Sequence, residues 1–195
     1  MPIIAHCRVC DHKNFRNKSI PVLTPIEDCF CPFCKKGFLV NRDHIPRHYK
    51  EINEEQGIVE EKWVFLPRVK CLNPDCGHIV RVLPKAILPF KHYCAKVIQD
   101  VLDGKLNEES TNDFPAACTM ERWRTWFEGN KTAIEAQIRG NAYSLQDYEP
   151  EILVSEEPLL CRIMARFSNW LHTIIRLLYN AGCHLDSQPA AYAPG

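Results

Sequence analysis

The spacing of hydrophobic and polar positions along the chain changes once, near residue 92. Before that point apolar residues alternate with polar ones over short runs. GFLVNR (37–42), KWVFLPRVKC (62–71) and HIVRVLP (78–84) each predict a strand, the second setting Trp63, Phe65 and Val69 against Lys62, Arg68 and Lys70. Beyond residue 92 the apolar positions recur every three or four residues. Tyr93, Val97, Val101 and Leu102 share one helical face that stops at Gly104. A polar stretch with Pro115 follows, with room for a short helix within 107–114. A second helix is expected from Cys118 or Thr119 to Gly129, with Met120, Trp123 and Phe127 inside. The segment 130–148 is weakly amphipathic and interrupted by Gly140. From Pro158 to Gly182 one long helix is expected, ~35 Å at 1.5 Å per residue, with Ile163, Phe167, Trp170, Leu171 and Ile174 on its apolar face. The tail DSQPAAYAPG reads as disordered. The pattern predicts an α+β chain: a zinc-ribbon domain over 1–91, a helix-turn-helix-like region over 92–129, a helical region over 130–184 and a tail over 185–195.

The cysteines explain why the first part is read as a ribbon. Cys31 and Cys34 form a C-x-x-C, and Cys71 and Cys76 a C-x4-C. Thiolates so spaced converge from one backbone turn, and two such turns complete a tetrahedral four-cysteine zinc shell, which has no open position and is structural. Pro32 stiffens the first turn, and Gly77 after Cys76 supplies the positive φ at which the second should end. A third pair, Cys7 and Cys10, leaves two alternatives open. It could hold a second zinc with Cys29 or a histidine. Or it could join Cys31 and Cys34, leaving Cys71 and Cys76 to recruit His44 and His48. Pro46 argues against a helix that would bring those two histidines together.

Charge adds an asymmetry that the zero formal net charge hides. Residues 1–95 hold 15 Lys and Arg against 10 Asp and Glu, and residues 96–195 hold 9 against 14. A basic front half suits a nucleic-acid partner, although four thiolates around one dication remove part of the excess. Eleven cysteines without a positive-then-apolar leader predict a reducing, cytoplasmic setting. Arg162, Arg166 and Arg176 in the longest apolar helix exclude a simple membrane span. No nucleophile elbow, P-loop or dinucleotide glycine pattern is present, so no catalytic residue is assigned. A nuclease metal site at His44, His48 and Asp43 lacks a positioned base.

A helix, a polar turn and a short helix with aromatics inside and arginines outside also make the pattern of a helix-turn-helix reader. Arg122 or Arg124 would reach guanine edges or phosphate, beside Thr125. A plain helical hairpin would give the same stripe.

The runs CPFC, VNRDHIPRHY and WVFLPRVKCLNPDCGHIVRVLPKAILPFKHY, followed by a helix and CTMERWRTWF, resemble a family of small proteins of unknown function from Gram-positive bacteria, often met near mobile elements. They are also similar to the N-terminal zinc-ribbon and helix-turn-helix part of insertion-sequence transposases. The likeness spans Cys29 to Phe127. It implies Cys31, Cys34, Cys71 and Cys76 as one zinc shell. Lys35 in place of glycine after the first pair, and the wider second pair, depart from that pattern. The residues after Gly129 carry no carboxylate set on strands, so no transposase catalytic domain is expected.

The expected function is a zinc-stabilised DNA-binding protein, accessory to or derived from a mobile element. It would hold one zinc ion, or two if Cys7, Cys10 and Cys29 bind a second. Arg122, Arg124, Thr125, Arg68, Lys70, Arg81, Lys85 and Lys91 would face double-stranded DNA. The alternative is a zinc-ribbon adaptor that docks a protein partner, or forms a homodimer, through the C-terminal helix.

Overall fold

The computed structural model describes residues 2–26, 28–53, 58–107, 115–141, 156–183 and 185. The chain divides into two units, Met1–Ala95 with Tyr179–Gly182, and Lys96–Leu178 with Cys183–Gly195. The short helix expected within 107–114, the end of the 130–148 segment, the tip of the acidic stretch 51–61 and the tail beyond Leu185 fall wholly or mainly outside the described residues.

The first unit is a mixed six-stranded sheet of β1 (Pro2–Ala5), β2 (Cys7–Phe15), β3 (Lys18–Pro25), β4 (Leu39–Asn53), β5 (Ile58–Cys71) and β6 (Ile79–Pro84). β5 is its axis. Along one edge β4 runs antiparallel from Leu39↔Cys71 to Asn53↔Ile58. Along the other, β3 lies parallel at Val22↔Phe65, and β6 lies antiparallel from Arg68↔Arg81 to Lys70↔Ile79. β1 extends the sheet parallel to β6, and β2 forms a hairpin with β3. Arg16 and Asn17 close that hairpin with φ of 51° and 61°, the left-handed pair that a two-residue turn needs to match strand twist. Among the named strands β4 pairs with β5 alone, apart from a bridge between Lys50 and Tyr93, so Pro46 sits on a sheet edge, where a missing N–H costs no ladder bond.

This sheet is larger than the small zinc ribbon expected. The three strands within residues 2–25 went unread because β2 is exposed along almost its whole length, so no period marks it. In β3 the alternation of Ile20 and Val22, both buried with Phe65, was the legible signal. A second cluster, Ile3, Ala5, Val69, Val80 and Val82, packs between β1, β5 and β6 on the face opposite Arg68 and Arg81.

Among the described residues four helices follow: α1 (Ala95–Leu102), α2 (Ala117–Gly140), α3 (Leu159–Arg166) and α4 (Trp170–Ala181). α2 does not stop at Gly129. Asn130, Ile134 and Ile138 continue the buried stripe begun by Met120, Trp123 and Phe127, and their burial outweighs the ~1 kcal/mol that a glycine costs in a helix. The long C-terminal helix is in fact two, broken where Phe167 turns extended (φ −102°, ψ 123°). Buried Gln99 of α1 spans the break, donating to Ser168 O at 2.8 Å and accepting from Leu171 N–H at 3.2 Å. It therefore satisfies backbone groups that a continuous helix would have paired internally. Glu135 of α2 accepts the first two amides of α3, Leu159 N–H at 2.9 Å and Leu160 N–H at 2.7 Å. Burial alone would raise the pKa of that carboxyl, but the Leu160 and Leu159 amides together with Arg139 hold it below the usual range. The last turn of α4 belongs to the first unit, where the Asn180 amide exchanges two 2.8 Å hydrogen bonds with the backbone of Ile4. Among the described residues no helix is long and apolar enough to cross a membrane.

Candidate metal centre

Two backbone loops in the first unit bring four thiols together. The first runs from Cys31 to Gly37 and closes on itself, with Cys31 N–H donating to Gly37 O and Lys35 N–H to Cys31 O, both at 2.9 Å. Lys35 takes the left-handed conformation (φ 59°) that glycine usually occupies after such a pair. The second is the β5–β6 connection. Cys71 N–H donates to His78 O at 2.9 Å, and inside the loop the Cys76 and Gly77 amides both reach Asn73 O at 3.0 Å. The Asn73 side chain accepts from Asp75 N–H at 3.1 Å, so the two extra residues of C-x4-C are taken up in an Asx turn. Gly77 leaves the turn at φ 58°, as expected of it.

The sulfurs converge. Cys31 Sγ lies 3.6 Å from Cys76 Sγ and Cys34 Sγ lies 3.7 Å from Cys71 Sγ, with all four ligand atoms within 4.8 Å of one another. Sulfurs ~2.3 Å from a tetrahedral zinc stand about 3.8 Å apart. This four-cysteine group can therefore hold a metal ion such as zinc. Its thiols are unevenly prepared. Amides of Lys36 and Gly37 hold Cys34 down to about 6, whereas burial pushes Cys71 up to about 12. A bound dication would favour the thiolate at every position. Around the shell, His78 Nδ1 lies 3.2 Å from Cys76 Sγ, and the His78 ring stacks on Phe33 at 4.1 Å.

Gly37 is the tightest point of the shell. Its N–H donates to Cys34 Sγ at 3.4 Å, and a Cβ there would lie 2.3 Å from Cys71 Sγ and 2.9 Å from Asn73 Cβ. Gly37→Ala is expected to weaken metal binding roughly 10- to 100-fold, the usual range for changes beside a ligand shell. Competition with a chromogenic chelator measures it, and unchanged affinity would remove the steric role.

The other cysteines and histidines weighed as ligands stand elsewhere. Cys7 Sγ donates to Ala5 O at 3.7 Å and packs with Cys29 on the Val69 and Val80 cluster, while Cys10 is exposed and donates to Val22 O at 3.4 Å. His44 Nε2 lies 3.1 Å from Leu23 O, His48 packs against Trp63 and His92, and Asp43 is held bidentately by Arg68. Among the described residues, Cys31, Cys34, Cys71 and Cys76 are the group with ligand geometry.

The basic residues singled out from sequence fall in both units. Arg68, Lys70, Arg81, Lys85 and Lys91 belong to the first; Arg122, Arg124 and Thr125 belong to α2 in the second. Arg122 donates to Cys118 O at 3.1 Å, Arg124 pairs with Glu121 at 3.5 Å, and Thr125 is exposed. α1 ends at Leu102 and α2 begins at Ala117, and residues 108–114 between them lie outside the described residues.

The sequence reading named Arg68, Lys70 and Arg81 for DNA but missed the apolar residues that share their face. Cross-strand partners share a face, so Val40, Lys70 and Ile79 form one row and Asp43, Arg68 and Arg81 the next. Phe38 and Leu72 continue that face towards the metal loops, and the Phe38 ring packs tilted against Phe30, with centroids 4.6 Å apart. Phe30, Phe38 and Leu72 are 55%, 51% and 59% exposed. The legible signal was the run of large apolar residues beside the cysteines, each the immediate neighbour of a ligand or a strand end.

Residues 31–123 match a family model described as a domain of unknown function, DUF6431. The match begins at the first cysteine of the centre, includes all four and ends within α2. No curated protein and no solved structure matches the chain.

Proposed function

We propose that the protein is a zinc-stabilised DNA-binding protein in which a four-cysteine zinc centre braces the β4–β6 end of the sheet and the exposed face of those strands bears on DNA. The observation that carries this reading is the interleaving on one face of exposed Phe30, Phe38, Val40, Leu72 and Ile79 with Lys70, Arg68 and Arg81. Aromatic surfaces stack on bases, and cations placed between them neutralise phosphates. The zinc has no chemical step in this reading. With four thiolates and no open position it would only hold the two loops. The association with a mobile element rests on the sequence resemblance alone. A second contact from α2 through Arg122, Arg124 and Thr125 is compatible with their partial exposure, but Glu121 and Glu128 share the exposed side of that helix and make it a weaker lure for phosphate. The adaptor reading draws less support, because of the apolar face it would use Ile163, Trp170, Leu171 and Ile174 are buried and Phe167 is half-buried.

The test is anisotropy with labelled single-stranded and duplex DNA pools across salt concentrations. The reading expects log affinity to fall linearly with log salt. Lys70→Ala should weaken binding to all sequences alike and reduce the salt slope by about 1. Phe38→Ala should cost ~1 to 3 kcal/mol on single strands, the range for one lost base stack. Absence of salt-dependent binding to either pool sinks the proposal.

A further inference from the structure

Beside this face, in the first unit, lies a cavity of about 340 Å³ lined by Arg47, Arg68, Arg81, Leu83, Leu88 and Phe90, among others. Its charge is unbalanced. Arg68 is neutralised by Asp43, but among the described residues Arg81, its cross-strand neighbour, has no ion-pair partner. Arg47 gives one N–H to the Lys91 carbonyl at 2.6 Å, while its Nε is buried without a hydrogen-bond partner. Burial and the nearby charge of Arg81 both push the Arg47 guanidinium pKa down, so the pair is held together at a cost that an anion would relieve. Two uncompensated cations match a dianion. A phosphate monoester carries nearly two negative charges at neutral pH, whereas a phosphate within a strand carries one.

The rest of the lining points to what the phosphate is attached to. Leu83 and Leu88 are buried walls, and Phe90 is 69% exposed at the mouth. Phe90 also adopts φ +59°, a left-handed backbone conformation uncommon for a bulky residue. An exposed aromatic beside an arginine pocket offers a surface for a base. From Arg81 the pairing leads directly to the Lys70 and Ile79 row and its apolar neighbours, so a chain leaving the cavity would meet further stacking surface.

We propose that the Arg47, Arg68 and Arg81 cavity seats the terminal phosphate of a single DNA strand, with the end base against Phe90; this rests on the nucleic-acid reading above. The shared chemistry is a phosphate monoester, whose source is a strand end or a free nucleotide.

The experiment uses the full zinc-loaded chain and internally labelled 12-mers of one sequence, bearing a 5′-phosphate, a 3′-phosphate or hydroxyls at both ends. Each is measured alone, as a blunt duplex, and in competition with a nucleoside 5′-monophosphate and with inorganic phosphate. One of the two phosphorylated single strands should bind about tenfold more tightly than the hydroxyl strand, as a charged hydrogen-bonded contact implies. The difference should disappear in Arg81→Gln and Arg47→Gln variants that keep wild-type zinc content and circular dichroism. Equal affinity for all three ends in the wild type overturns the pocket while leaving the DNA reading standing. Saturable binding of the mononucleotide without binding of any strand overturns the strand assignment and the DNA reading together. Preference for phosphorylated duplex ends over single strands overturns the stacking part.

Discussion

Cys71→Ser is expected to abolish stoichiometric metal binding and to unfold the sheet of the first unit. Cys71 is the last residue of β5, its backbone closes the β5–β6 loop on His78, and its sulfur meets Cys34 from the other loop at 3.7 Å. One residue thus ends the axial strand, fixes the hairpin and completes the shell. Structural zinc contributes roughly 10 to 16 kcal/mol of apparent binding free energy in small domains, comparable with the ~5 to 15 kcal/mol that separates folded from unfolded states. Chelation of the wild type should therefore reproduce the variant, and readdition of zinc should restore only the wild type. Elemental analysis and circular dichroism read both. A variant that keeps its sheet signal and binds no metal would show that the apolar clusters hold the sheet without the ion.

The pH dependence follows from the thiols. At pH 7 Cys34, held at about 6, is mostly ionised, while Cys71, raised to about 12, keeps its proton until metal displaces it. Metal affinity should thus rise with pH, and fall more steeply once pH drops below about 6, where Cys34 also protonates. Without metal the two act oppositely on folding. The depressed Cys34 favours the fold above the ordinary thiol value and loses that contribution as pH falls through about 6; the raised Cys71 favours it below that value and loses it as pH rises through about 12.

Trp170→Ala is expected to destabilise the helical unit by about 3 to 5 kcal/mol, the range for truncating a buried aromatic. Trp170 is 2% exposed, packs its ring 5.1 Å from Phe127 of α2, and donates its indole N–H to Asp103 at 2.9 Å. Truncation leaves a cavity and frees a carboxylate that is partly withdrawn from water. Burial opposes ionisation of Asp103, yet Lys105, Trp170 and Gln99 together keep its pKa low. Chemical denaturation should show the loss, while DNA affinity in water stays near wild type. A variant with wild-type stability that failed to bind a protein partner would return the adaptor reading to first place.

Helix and strand were most legible where apolar residues recur at the period of the element. Trp63, Phe65 and Val69 marked β5, and Val97 and Val101 marked α1, although Val64, Leu66, Ile98 and Gln99 are buried as well. β2 faces water on nearly every residue and left no such mark. Gly129 was misread as a stop because a glycine between two helical stretches is ambiguous until Asn130 and Ile134 are known to be buried. The break at Phe167 carries no glycine or proline at all. It exists because Gln99, some seventy residues earlier in the chain, supplies the hydrogen bonds that the helix gives up.

The sequence by itself determined the metal centre as a hypothesis, because ligand spacing is a local property. A C-x-x-C and a C-x4-C each fit on one turn, and Gly77 announces the conformation at which the second turn ends. That the two turns meet was decided by the pairing of β4, β5 and β6, which brings Cys31 and Cys34 to Cys71 and Cys76 and leaves Cys7, Cys10 and Cys29 apart. The same pairing aligned Asp43, Arg68 and Arg81 and set Arg47 beside them. Charge neighbours across a sheet depend on register, and register is a sum of many distant contacts that no local run of residues records.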